Sequence, residues 1–115
     1  MLHLAEHYRC RVVRRFSLSP LDWRMLHAVY QPIVGAGAAA LYGTLCAALP
    51  LDAAGEGESM TLGRLFLSLG LAPNAEGRRR LADETSRLEA CGLLRTLRRW
   101  DGGQVAGYEI HLYPP

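Results

Sequence analysis

The groups best suited to covalent or metal chemistry are His3, His7, His27 and His111, with the thiols Cys10, Cys46 and Cys91. Acyl transfer needs a nucleophile beside a base, and phosphoryl transfer needs a glycine-rich loop with its lysine. Neither is present: no serine, cysteine or carboxylate is arranged around a histidine, and Gly35, Ala36 and Gly37 open a helix without a P-loop lysine. The cysteines are odd in number, widely spaced and unaccompanied by histidine at ligand spacing, so neither a disulfide framework nor a zinc site is expected. The expectation is a non-enzyme with no cofactor and no metal, its thiols reduced and mostly buried.

The remaining chemistry is cationic. All 13 basic residues are arginine, which reflects either a compositional bias or a use for bidentate phosphate contacts. A net charge of +2 is too small to imply nucleic-acid binding, so the distribution decides. Arg9, Arg11, Arg14 and Arg15 crowd the start of the chain against Glu6 alone, and Arg95, Arg98 and Arg99 face Asp101 and Glu109 near its end. Arg9, Arg11, Arg15, Arg95, Arg98, Arg99 and Trp100 are therefore the candidate contacts to DNA or to a partner. Phosphates, an acidic partner and anionic lipid head groups all suit such a surface, although an edge strand blunted by charge would look the same. Trp100 is either an exposed anchor or a ring folded onto the core. Arg78, Arg79, Arg80 and Arg87 are weaker candidates, because Glu76, Asp83, Glu84 and Glu89 on the same helix cancel them. Arg80 with Glu84 and Asp83 with Arg87 have the spacing of surface ion pairs.

The elements that position these groups follow from pattern. Tyr8 to Phe16 alternates as a strand, one face apolar except at Arg14. Ser19, Pro20 and Asp22 start a helix that should run to about Tyr30, bury Leu21, Met25, Leu26 and Val29, and break at Gln31 to Gly35 because of Pro32. A second helix carries Ala38, Leu41, Tyr42, Leu45, Cys46 and Leu49. Pro50 to Ser59, with three acids and two glycines, reads as a solvated loop. A short helix near Thr61 to Leu69, ended by Gly70, then a turn at Pro73 and Asn74 and a helix from Ala75 to Cys91 form a helix-turn-helix. Gly102 and Gly103 sit at the tip of a closing hairpin, or wing; that tip sets Leu97 opposite Tyr108 and Leu93 opposite Leu112. The first strand should complete a small antiparallel sheet.

At 115 residues, half of them hydrophobic, the chain suits one globular domain spanning 1–115. Residues 1–8 lack an apolar signal region, and the longest apolar stretch is interrupted by Tyr42, Gly43 and Thr44. The expected fold class is α+β, mainly helical: a winged helix-turn-helix with extra N-terminal helices and a small antiparallel sheet. On architecture alone, a winged-helix DNA-binding transcription regulator is one reading.

Three stretches carry a resemblance. Tyr30, Gln31, Pro32, Ile33, Val34 and Gly35, followed by Ala39, Leu41, Tyr42 and Leu45, resemble the YQPLIG…LY signature of Gram-positive primosomal DnaB proteins. Arg87 to Arg95 is similar to that family's KLEGIGLLK-like segment, and Tyr108 to Pro115 to its closing YEL.PP. The acidic loop and the arginine-rich first strand lie outside these motifs. The resemblance implies the N-terminal domain of a replication initiation and membrane attachment protein, a helicase co-loader of the DnaB/DnaD group, with further domains to follow; the final Pro114 and Pro115 fit a domain boundary. It also implies self-association, a DnaD-like primosome protein and the replicative helicase as partners of the full-length protein, with DNA and an anionic membrane surface as further candidates. The implied location is the cytoplasm, either free or membrane-associated as part of the longer protein.

Overall fold

A computed structural model describes residues 8–115; His3 and His7 lie outside them. Strand β1 (Arg9–Arg14) leads into helix α1 (Pro20–Met25). Ser19 caps α1 as expected: its hydroxyl accepts from the Asp22 N–H, and the Asp22 carboxylate accepts from the Ser19 N–H at 2.8 Å, a reciprocal box that satisfies two orphan donors.

The helix does not break at Pro32. It widens into one π-helical turn over Leu26–Tyr30, where the Gln31 N–H reaches back to the Leu26 carbonyl, and continues as α2 (Gln31–Val34). Pro32 falls in the first turn of α2, where a missing N–H costs little. The break comes at Gly35, whose φ of 92° a side chain would strain.

The wider turn also decides which residues the rod buries. Each α residue advances by roughly 100° and each π residue by less. Leu26, Tyr30 and Val34 therefore stay on the inward side, while Leu21, Val29 and Ile33 fall within about 40° of one another, turned roughly 100° away from it. Burial of Leu21 and Val29, expected from an α periodicity, does not occur; both are exposed, Met25 is half-buried and Leu26 is buried.

Helix α3 (Ala36–Cys46) buries Ala38, Ala39, Leu41, Tyr42, Leu45 and Cys46. The acidic loop is not free in solvent. Two short strands, β2 (Gly55–Glu56) and β3 (Met60–Thr61), pair antiparallel with β1, helped by the Gly57 N–H to the Val12 carbonyl and the Leu62 N–H to the Tyr8 carbonyl, both at 2.8 Å.

Helix α4 (Leu62–Ser68), capped by Thr61, and helix α5 (Ala75–Ala90), capped by Asn74, make the helix-turn-helix. Leu81, Thr85 and Leu88 face inward at helical spacing. A Cβ at Gly77 would overlap the Ala72 carbonyl oxygen, so only glycine lets the first turn of α5 sit on the turn before it.

Strands β4 (Leu94–Asp101) and β5 (Gln104–Leu112) form the wing, with Gly102 and Gly103 at its tip in positive φ. Its register differs from the symmetric one by a residue. Asp101 opposite Gln104 and Trp100 opposite Val105 follow the tip, but a bulge then sets Arg99 opposite Gly107, Arg98 opposite Tyr108 and Leu94 opposite Leu112. The sheet order is β2-β1-β5-β4, with β3 beside β2 on the same edge of β1.

The sheet is mixed, not antiparallel throughout. β1 and β5 run parallel, Cys10 opposite Tyr108 and Arg14 opposite Leu112; parallel neighbours need a long crossover, and here the helices between them supply it. β1 is consequently interior, and charge blunting of an edge does not explain its arginines.

Candidate functional site

Alternation along the strands sorts the candidate arginines onto two faces. Cys10, Val12, Leu94, Tyr108, Ile110 and Leu112 pack into the core against α3, α4 and α5. Arg14 points the same way and is fully buried. Its guanidinium donates to the carbonyls of Phe16 at 2.9 Å and Ala53 at 2.7 Å, and to those of Cys46 and Pro50, while lying 6.0 Å from the Phe16 ring centroid. The single break in the apolar pattern is thus a cross-link that ties β1 to the end of α3 and the start of the acidic loop.

Arg9, Arg11, Arg95 and Arg99 occupy the other, outer face, joined at the end of β1 by Arg15. They are not equivalent. Glu56 takes Arg11 at 3.2 Å and Arg15 at 3.4 Å. Arg9 donates from Nε to Ser59 Oγ at 3.1 Å and from Nη2 to the Ser59 carbonyl at 3.0 Å. Arg95 is exposed opposite His111, whose Nε2 lies 3.1 Å from Glu109 Oε1. Arg99 and Trp100 stand open at the wing, Trp100 with 62% of its surface exposed, so the ring is not folded onto the core.

Arg98 projects to the opposite side, into a groove of about 330 Å³ between the wing and α5 whose walls include Asp83, Ser86, Glu89 and Thr96. Thr96 donates to Glu89 at 2.8 Å. In a DNA-reading winged helix this groove and helix would meet the duplex, yet two carboxylates line it.

The weaker candidates on α5 are held locally. Arg80 pairs with Glu84 at 3.3 Å as its spacing predicts, and Arg78 donates to the Pro73 carbonyl at 2.9 Å. Arg79 is exposed. Asp83 and Arg87 do not pair; Arg87 reaches instead toward Gly35, where a Cβ would lie 3.7 Å from its Nη1.

No catalytic constellation assembles among the described residues, and no three of their His, Cys, Asp or Glu side chains could hold a metal ion. Burial pushes the Cys10 and Cys46 thiols up to about 11, so both stay protonated and unreactive at neutral pH. Burial also raises the Tyr42 hydroxyl, which keeps its proton and donates it to the Tyr113 carbonyl at 2.7 Å. His27 Nδ1 sits 2.7 Å from Gln31 Oε1 on the exposed rod. Among the described residues no helix is long and apolar enough to cross a membrane.

One surface went unnoticed in the sequence. Leu21, Val29 and Ile33 are 65%, 45% and 73% exposed, and the π turn lines them up along α1 and α2. Five consecutive residues that an α periodicity cannot reconcile with both stripes were the only available signal.

Known proteins place this arrangement. A crystal structure of primosome protein DnaB (residues 1–300) from Geobacillus stearothermophilus superposes with a TM-score of 0.79 at 28% identity, over 98% of this chain and 40% of that one. The chain therefore spans well under half of that relative's length. No curated protein matches it. The family described as the DnaB N-terminal winged helix domain matches residues 5–115, nearly the whole sequence, and its winged helix is the fold seen here; the chain belongs to that family.

Proposed function

We propose that this domain acts in the initiation of DNA replication as the N-terminal assembly module of a primosomal helicase co-loader, and that it works by self-association. In a longer protein it would meet a DnaD-like primosome protein and the replicative helicase. The observation that carries this reading is the exposed stripe of Leu21, Val29 and Ile33. Apolar side chains aligned on one helical rod are costly in water and gain most by burial against another surface. A matching copy of the same stripe forms an isologous contact without further design. The stripe also includes Ile33 of the Tyr30–Gly35 motif, in the stretch that resembles the primosomal proteins.

Sedimentation velocity over a micromolar concentration series tests this. The mean mass should rise with concentration, and Leu21→Glu combined with Ile33→Glu should return the chain to monomer with its circular dichroism unchanged. A parent chain that stays monomeric throughout overturns the reading. A transcription regulator would instead need α5 in the major groove. The carboxylates of Asp83 and Glu89 beside it weigh against that.

A further inference from the structure

We infer that the outer face at the base of the wing is a binding site for single-stranded nucleic acid, in which Arg9 and Arg99 grip the phosphodiester backbone and Trp100 stacks on a base. This surface is built from β1, β4 and β5, and is separate from the α1–α2 stripe.

The strand registers carry the proposal. Arg9, Gly107 and Arg99 stand in one row across β1, β5 and β4. Neighbouring strands are about 4.8 Å apart, so the two arginines rise roughly 10 Å apart from a floor with no side chain. That floor has to be glycine: a Cβ at residue 107 would overlap the Arg9 carbonyl oxygen. The result is a cleft of about 330 Å³, walled by Arg9, Ser59, Arg99, Trp100 and Asp101 over Gly107.

The two cations differ from Arg11 and Arg15; Arg95 is also exposed on this face but stands four residues along β4 from Arg99 and does not line the cleft. Arg11 and Arg15 are taken by Glu56. Arg9 is steadied by Ser59 through Nε and Nη2 only, and a guanidinium carries five N–H donors. Arg99 makes no hydrogen bond or ion pair among the described residues. Paired guanidiniums suit a phosphate diester. The wing bulge brings Trp100 to the rim of the same cleft, largely exposed.

Guanidinium contacts to the backbone beside an open indole face are the recipe for an unpaired strand, since bases inside a duplex offer no free face to stack. Asp101 at the rim repels further phosphates, which confines the grip to a short stretch.

The test uses the chain and a fluorescein-labelled oligothymidylate of about 12 nucleotides, followed by anisotropy and by tryptophan emission. Two phosphates on a single strand give a salt slope of about −1.4, or roughly sevenfold weaker binding between about 50 and 200 mM salt. Arg9→Ala with Arg99→Ala should lower affinity and flatten that slope. Trp100→Ala, which removes the stacking face, should weaken binding by about fivefold or more and remove the emission quench. Circular dichroism and melting confirm that each variant is folded, and Arg78→Ala with Arg79→Ala should bind like the parent.

The site is overturned by an absence of binding at about 100 µM chain, by equal losses from the Arg78 and Arg79 changes, or by parental affinity in the cleft variants. Tighter binding to duplex DNA of the same length overturns it too. So does a cleft-dependent affinity for vesicles of about 30% anionic phospholipid without affinity for the oligonucleotide.

Discussion

Arg14 is a cation sealed from water, paired with no carboxylate among the described residues and held chiefly by backbone carbonyls. Such an arrangement depends on its partners, because the buried Cys46 carbonyl, once left behind, loses a hydrogen bond it cannot recover from solvent, and the part-buried carbonyls of Phe16, Pro50 and Ala53 recover theirs only in part. Arg14→Met should therefore cost about 2–4 kcal/mol in urea unfolding, since each buried acceptor left unsatisfied costs about 1–3 kcal/mol. Arg14→Lys should fall between the two, keeping the charge but not the planar fork that reaches several acceptors at once. A loss below about 1 kcal/mol for Arg14→Met, the scale of an exposed contact, would show that the cross-link is unimportant. The position was legible in the sequence as the one charge on an apolar face. Its meaning was not, because three of its acceptors belong to residues 46, 50 and 53, more than thirty positions away. The exposure of Trp100 was illegible for a related reason: alternation along β4 assigns it a face, but only the bulge and the reach of the wing decide whether anything covers that face.

Elements whose signals are local were readable, and those set by remote partners were not. Ser19 with Asp22, Asn74 with Gly77, and glycines 70, 92, 102 and 103 in positive φ mark helix and hairpin ends by chemistry within a few residues. The parallel pairing of β1 with β5 joins positions about a hundred residues apart and leaves no local trace. The acidic loop misled for the same reason, since polar composition says only that a segment tolerates water, whereas β2 and β3 form because β1 offers an unpaired edge. Docking this loop brings Glu56 between Arg11 and Arg15 and so sets how much positive charge the outer face presents. Glu56→Ala should release both guanidiniums. Because these pairs are exposed, stability should fall by less than about 1 kcal/mol. Retention on a heparin column should increase, by a margin that shrinks with salt. Unchanged retention would mean that Glu56 does not govern the face.

At the scale of the whole molecule, one core joins the helices to the sheet, and burial in it shifts the thiols Cys10 and Cys46 and the phenol Tyr42. Cys10 and Cys46 are each raised from 9.0 to about 11 by burial, and Tyr42 is raised as well. The folded state thus favours the neutral forms more strongly than the unfolded chain does. Below about pH 9 both states hold these protons and stability should be flat with respect to these groups; between about pH 9 and 11 the unfolded chain ionises first and gains free energy that the folded core cannot match. The urea midpoint, measured under reducing conditions, should therefore hold up to about pH 9 and then decline, the unfolding free energy falling by a few kcal/mol in total by about pH 11. Cys46→Ala should make that decline shallower even though it lowers stability at neutral pH by removing a packed side chain. All points belong at one chain concentration, because self-association through the α1–α2 stripe would add concentration-dependent stability of its own. A midpoint that stays level to about pH 11, or a Cys46→Ala chain that declines as steeply as the parent, would mean that the core admits water or opens before these groups ionise.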